Sequence, residues 1–134
     1  MSADHALQTA IRLRLVATPA VTALVPATSI LDVHQRPAPT PSIIIGEGQS
    51  VEGDQIDRRD QRVYLDLHVW KTEPGLVGVK DIAGAIRTAI HSERLAVVHY
   101  WCGDCRVSTM RFMRDPDGET AHGVVTVEAI LCEV

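Results

Sequence analysis

The sequence predicts an α+β fold, a mostly antiparallel sheet with two helices packed on one face. Three observations carry that expectation. Apolar residues recur at helical spacing in two stretches, 5–17 and 79–91; they alternate strictly with polar residues over 63–70; and Asp115-Pro116-Asp117-Gly118 stands between two further strand-like runs. The order is helix, strands, helix, strands, without the regular alternation that builds a parallel doubly wound sheet. At 134 residues, 46% apolar and 22% charged, the chain has the size and composition of one domain spanning 1–134.

The elements follow in order. Leu7, Ala10, Ile11 and Leu15 define the inner stripe of a helix over about 5–17, with Gln8, Arg12 and Arg14 between them. Thr18-Pro19 ends it, because the residue before proline is pushed out of the helical region. Residues 21–25 form one further turn before Pro26. Residues 30–34 read as a short strand, and "RPAPTP" (36–41) as a stiff extended connector whose three prolines donate nothing to a ladder. Residues 42–45 form a second strand closed by Gly46.

Residues 46–62, "GEGQSVEGDQIDRRDQR", mix glycine with both signs of charge and read as a long mobile loop. The next strand, "VYLDLHVW" (63–70), places Val63, Leu65, Leu67 and Val69 under the helices and turns Tyr64, Asp66, His68 and Trp70 the other way. After the "TEPG" turn (72–75), Val79, Ile82, Ala83, Ile86 and Ile90 mark a second helix ending near His91. Gly78 and Gly84 weaken that helix, although Gly84 beside Ala83 and Ala85 lets it lie close to a sheet. Residues 96–101 and 106–114 read as strands separated by a turn at "CGDC" (102–105), and the 115–118 turn leads into a last strand over 123–133. One Phe, two Tyr and two Trp leave the core to Val, Ile, Leu and Ala.

Charge and composition exclude several classes. A net charge of −4 disfavours a surface that grips phosphates, so direct DNA affinity is not expected. No apolar run approaches the ~18 residues of a membrane span, and the start Met1-Ser2-Ala3-Asp4-His5 lacks the basic flank and apolar stretch of a secretory signal; the protein is expected to stay where it is made. Three cysteines, an odd number, suit free thiols in a reducing compartment.

Candidate chemistry is sparse. Asp66 and His68 share one strand face, but a nucleophilic triad needs a serine or cysteine beside them, and no G-x-S-x-G elbow presents one. The "CGDC" motif offers a different class, a small thiol or zinc protein. A redox dithiol, however, opens a helix, whereas "RVSTMRFM" follows here, and zinc would have to recruit Cys132 with His99 or His122. "GEGQSVEG" lacks the Lys-Ser/Thr of a phosphate loop, and the histidines at 5, 34, 68, 91, 99 and 122 form no ligand pattern. No enzyme activity, cofactor or metal is therefore expected. The surface reads as one that binds protein subunits, through Glu47, Glu52, Asp54, Asp57, Arg58, Arg59 and Asp60 in the loop and Tyr64, Asp66, His68 and Trp70 on the strand.

The order of landmarks resembles a known family. "LQTAIRLRLVATPAVTALV", the proline-rich lead into "PSIIIGEG", the charged loop into "VYLDLHVW", a "PG" turn, "VKDIAGAIRTAI" and the closing "AHGVVTVEAI" together resemble the tail terminator, or tail-completion, proteins of long-tailed phages and gene transfer agents. The likeness covers nearly the whole chain; "YWCGDC" (100–105) departs from it. It implies a structural virion protein, made in the bacterial cytoplasm, that forms a homo-hexameric ring at the head-proximal end of a tail tube. Such a ring ends tube polymerisation, contacts the tail tube protein and the head connector or stopper, and lets DNA pass without specific binding. A head-completion or stopper protein of the same connector is the neighbouring alternative.

Overall fold

The computed structural model describes residues 1–33 and 39–134. His34 of the expected first strand and residues 36–38 of the expected connector lie outside the described residues. The elements are α1 (Ala3–Val16), α2 (Pro19–Thr22), a 3-10 turn (Ala27–Ser29), β1 (Ile30–Leu31), β2 (Ser42–Glu52), β3 (Asp60–Thr72), α3 (Val77–His91), β4 (Tyr100–Arg114) and β5 (Thr120–Glu133). The strands form one sheet in the order β1-β2-β3-β5-β4. Every pairing is antiparallel except that of β1 with β2.

The period-two pattern of β3 does what it predicts. Val63, Leu65, Leu67 and Val69 are buried under the helices, each by about 1.5–3 kcal/mol relative to exposure. Their cross-strand partners on β5 are Ala129, Val127, Val125 and Gly123. Leu7, Ile11 and Leu15 of α1 and Val79, Ile82, Ile86 and Ile90 of α3 complete this core, so the aliphatic stripes of both long helices cover the same sheet face. Ser2 caps α1, its hydroxyl oxygen accepting from the His5 amide at 3.1 Å.

Two side chains tie the helices to their surroundings. Leu76, at the N-cap of α3, offers no side-chain acceptor. The carboxylate of Glu73 takes that place, accepting from the Gly78 amide at 3.1 Å and the Val79 amide at 3.3 Å. At the other end, the Arg14 guanidinium on α1 donates to the carbonyls of Ala89 (2.9 Å), Glu93 (3.3 Å) and Arg94 (3.1 Å) where α3 stops, the Ala89 carbonyl also accepting from the Ser92 hydroxyl at 2.9 Å.

Three sequence expectations are corrected. The 46–62 loop is largely strand: β2 runs on to Glu52 and β3 begins at Asp60, leaving 53–59 as the connection. A bulge between Ile45 and Gly48 shifts the register there. Beyond it β2 is exposed on both faces, so no hydrophobic alternation betrays it; its order comes from pairing with β3. The "CGDC" turn is the interior of β4, a single strand whose bulges fall between Cys102 and Asp104 and between Val107 and Thr109. The strand expected over 96–101 starts only at Tyr100, after a loop in which His99 adopts a positive φ of 69°.

β4 is an edge strand. Its Val107 amide donates to His91 Nε2 at 3.0 Å, so α3 caps one of the groups such an edge leaves open. Register places Glu52, Gln61, Leu131 and Cys102 on one row across β2, β3, β5 and β4. The hairpin tip at 53–59 therefore leaves the sheet at the same level at which Cys102 sits on the far edge.

Candidate subunit interface

The face of β3 turned away from the helices carries Tyr64, Asp66, His68 and Trp70, all half-buried. Trp70 stacks on His122 of β5, ring centroids 3.8 Å apart and planes within 6°. His122 Nε2 lies 2.9 Å from His68 Nδ1, and His68 Nε2 bonds the carboxylate of Glu47, which the bulge in β2 brings alongside. Gly46 makes room for this, since a Cβ there would stand 2.5 Å from the His68 ring.

Glu47, His68 and His122 thus form a relay. With the Glu47 carboxylate accepting from His68 Nε2–H, the nitrogen pair beyond shares a single proton: a neutral His68 accepts from His122, and a charged His68 donates to it. Burial is the main force holding the His122 pKa below its ordinary 6.5, and the His68 charge adds to it. The His68 hydrogen bond holds Glu47 below the ordinary carboxylate value.

Farther along the same face, Thr126 donates its hydroxyl to Asp66 at 2.6 Å. Glu128 then bridges Arg62 of β3 and Arg106 of β4, each at 3.3 Å. Tyr64 stands opposite Glu128 in register. The bare sheet face is a polar and aromatic layer with no helix over it among the described residues.

The remaining candidates sit at the hairpin tip. The Gly53 amide donates to the Asp60 carbonyl at 2.9 Å, closing the connection, and Arg58 turns it with a φ of 59°. Arg59 anchors it to the end of β5: its guanidinium donates to the Glu133 carbonyl at 3.0 Å, and its own carbonyl accepts from the Glu133 amide at 2.9 Å. Glu52, Asp54, Asp57, Arg58 and Arg59 are exposed, and Asp60 is half-buried. The structure divides the sequence-derived set in two. Glu47, read with the loop, belongs to the bare face through His68, whereas Glu52, Asp54, Asp57, Arg58, Arg59 and Asp60 form the tip.

Sequence reasoning passed over His122, Arg62, Arg106 and Glu128 as members of the face, and Ile56 at the tip. The signal for His122 was present. It alternates with Ala121, Gly123, Val125 and Val127 in the β5 pattern, on the outward side, as His68 does in β3.

The cysteines lie elsewhere. Cys102 and Cys105 flank the first β4 bulge and face the helix side, where their partners are Leu131 and Ala129; Cys132 faces the other way, opposite Asp60 and Trp101. The hydrogen bond with Cys102, helped by burial, keeps the Cys105 thiol protonated, and the same contact lowers the Cys102 pKa. No helix begins at these thiols, so the dipole that activates a redox dithiol is not aimed at them. Among the described residues no three His, Cys, Asp or Glu side chains are grouped to hold a metal ion, and no helix is long and apolar enough to cross a membrane.

This geometry, a helix-covered sheet with one bare polar face and a projecting hairpin, has counterparts. The family model for tail completion protein gp17 matches residues 9–131. The chain belongs to that family. This tail completion protein is a structural component of phage-type tails. A chain in a solved structure, the virion of a native gene transfer agent particle, superimposes with a TM-score of 0.87 at 18% identity, covering 98% of this chain and 99% of that one. The gp17 protein of bacteriophage SPP1 superimposes with a TM-score of 0.62 at 19% identity, covering 98% and 91%. At these identities the two structures speak to the fold. Comparison with curated proteins returns no match.

Proposed function

We propose that this tail completion protein forms a homo-hexameric ring on the head-proximal end of a tail tube, ends tube polymerisation and joins the tail to the head connector. The observation that carries the reading is the pairing of two unlike surfaces on one small domain: the bare face around Trp70 and His122, and the charged hairpin tip. A ring subunit meets its neighbours through a heterologous contact, which needs two different patches on every copy. Half-buried Trp and Tyr on the bare face suit the centre of such a contact, and the charges at the tip supply register.

The tail tube protein and the connector or stopper are the partners on the two sides of the ring. DNA passes through it without specific binding, in keeping with a net charge of −4. No catalytic role is assigned to Asp66 or His68, whose polar atoms are engaged by Thr126, His122 and Glu47. The match to tail completion proteins favours this reading over a head-completion protein.

The test is a deletion strain imaged by electron microscopy. Tails of abnormal length, or tails unattached to filled heads, are expected. Normal-length tails joined to full heads would refute the role.

A further inference from the structure

Ile56, at the hairpin tip, is 92% exposed, the most exposed large apolar side chain among the described residues. On the opposite side of the sheet, between β4 and the loop after α3, lies a cavity of about 420 Å³. Ile90, Leu95 and Cys102 supply apolar lining, and Arg94 stands at its rim. We propose that the hairpin tip of one copy, led by Ile56, seats in this groove beside β4 of the next copy. The inference rests on the ring reading above; it keeps the hairpin tip as one patch of the heterologous contact and makes this groove, not the bare face, the patch that receives it.

Three observations select a second copy as the occupant. The first is level. Glu52 and Cys102 lie on one row of the sheet, so the tip and the groove sit at the same height along the strands, on opposite sides of the molecule. Patches at one height join copies side by side without rise, which is the condition for a ring to close instead of growing as a helix. The second is charge. Glu52, Asp54 and Asp57 make no ion pair among the described residues, and Arg94 is held only by stacking on Trp101 at 3.9 Å. Glu93 and Asp104 also border the groove, Glu93 turned to Arg14 at 3.9 Å, and Arg106 adds a second cation there. The third is shape: an exposed aliphatic anchor on a rigidly paired hairpin meets a partly apolar hollow, with charges around both.

Two introduced thiols provide the readout, because Cys102 is buried and Cys105 is held protonated. Particles carrying Ile56→Cys together with Glu93→Cys, an exposed position at the groove, are expected to give a ladder of linked copies on a denaturing gel after treatment with a short bis-maleimide, and neither single variant should give it. A second measurement uses the Ile56→Cys chain: its thiol, at a position 92% exposed in the single chain, should react more slowly with a maleimide in assembled particles than in the free protein. A ladder given by either single variant, its absence from normally assembled particles of the double variant, or equal reactivity of the introduced thiol in the two states would overturn the proposal. A ladder that stops at two copies in intact particles would uphold the contact and sink the ring.

Discussion

Gly78 reads as a flaw in α3, and the structure reverses that reading. In most helices Gly→Ala near the first turn stabilises, by up to about 1 kcal/mol. Here a Cβ on Gly78 would overlap the Glu73 carboxylate and stand 2.7 Å from Lys71 Nζ. Glu73 is 12% exposed and accepts from two α3 amides, so it does not simply swing away. A side-chain cap contributes about 1–2 kcal/mol, and a carboxylate at a helix N-terminus adds about 0.5 kcal/mol. The ion pair to Lys71, at 3.8 Å with Lys71 39% exposed, adds little. Glu73→Ala should therefore cost about 2 kcal/mol, on the order of 5 °C in Tm for a domain of this size. Gly78→Ala should cost about 1 kcal/mol, the lost cap outweighing the gain in propensity. In the Glu73→Ala background the same Gly78→Ala change should stabilise by up to about 1 kcal/mol, giving a coupling of about 2 kcal/mol. Urea melts of the four proteins measure this. If Gly78→Ala stabilises the wild-type chain as much as it does the Glu73→Ala variant, the capping argument is wrong.

Other consequences are open to similar measurement. Because the His122 pKa is depressed from 6.5, the unfolded chain takes up its proton first as pH falls; stability contributed at neutral pH should decline below about 6.5, and His122→Phe, which keeps the ring on Trp70, should flatten that part of a pH-stability curve. Glu47, also depressed, acts in the same direction at lower pH, its contribution lost as pH falls through its folded pKa. Arg14→Ala leaves three carbonyls at the end of α3 without their charged donor and should cost about 2–3 kcal/mol by denaturant titration; Arg14→Lys, which lacks the fork, should recover less than half. Leu67→Ala, at a fully buried position in a central strand, should cost about 3 kcal/mol, whereas Trp70→Ala should impair particle assembly more than it lowers the melting temperature.

The parts of the fold legible in sequence are those where one side is dry and the other wet. Val63 to Trp70 alternate because β3 has helices on one side only, and the stripes of α1 and α3 follow for the same reason. The turn at 115–118 was legible through its own chemistry, the Asp115 carbonyl accepting from Gly118 at 3.0 Å with Gly118 at a φ of 75°. What was hidden has no such contrast. The outer half of β2 is wet on both faces, and β4 carries two bulges, each of which inverts the alternation beyond it; Cys102 and Cys105 point the same way although three positions separate them. Of the candidate interface, the β3 residues could be read from the alternation and their neighbours on β5 and β4 could not, because only pairing register brings His122 and Glu128 beside them.

The sheet order also bears on how the chain comes off the ribosome. β5, the last strand made, lies between β3 and β4, so each of those waits with an open edge until β5 arrives. The β4–β5 hairpin closes locally, but the β3–β5 ladder joins segments separated by α3 and β4, a non-local pairing that slows folding and leaves nascent chains exposed for longer. A chain that ends before β5 has neither the His122 stack nor a strand to support β4.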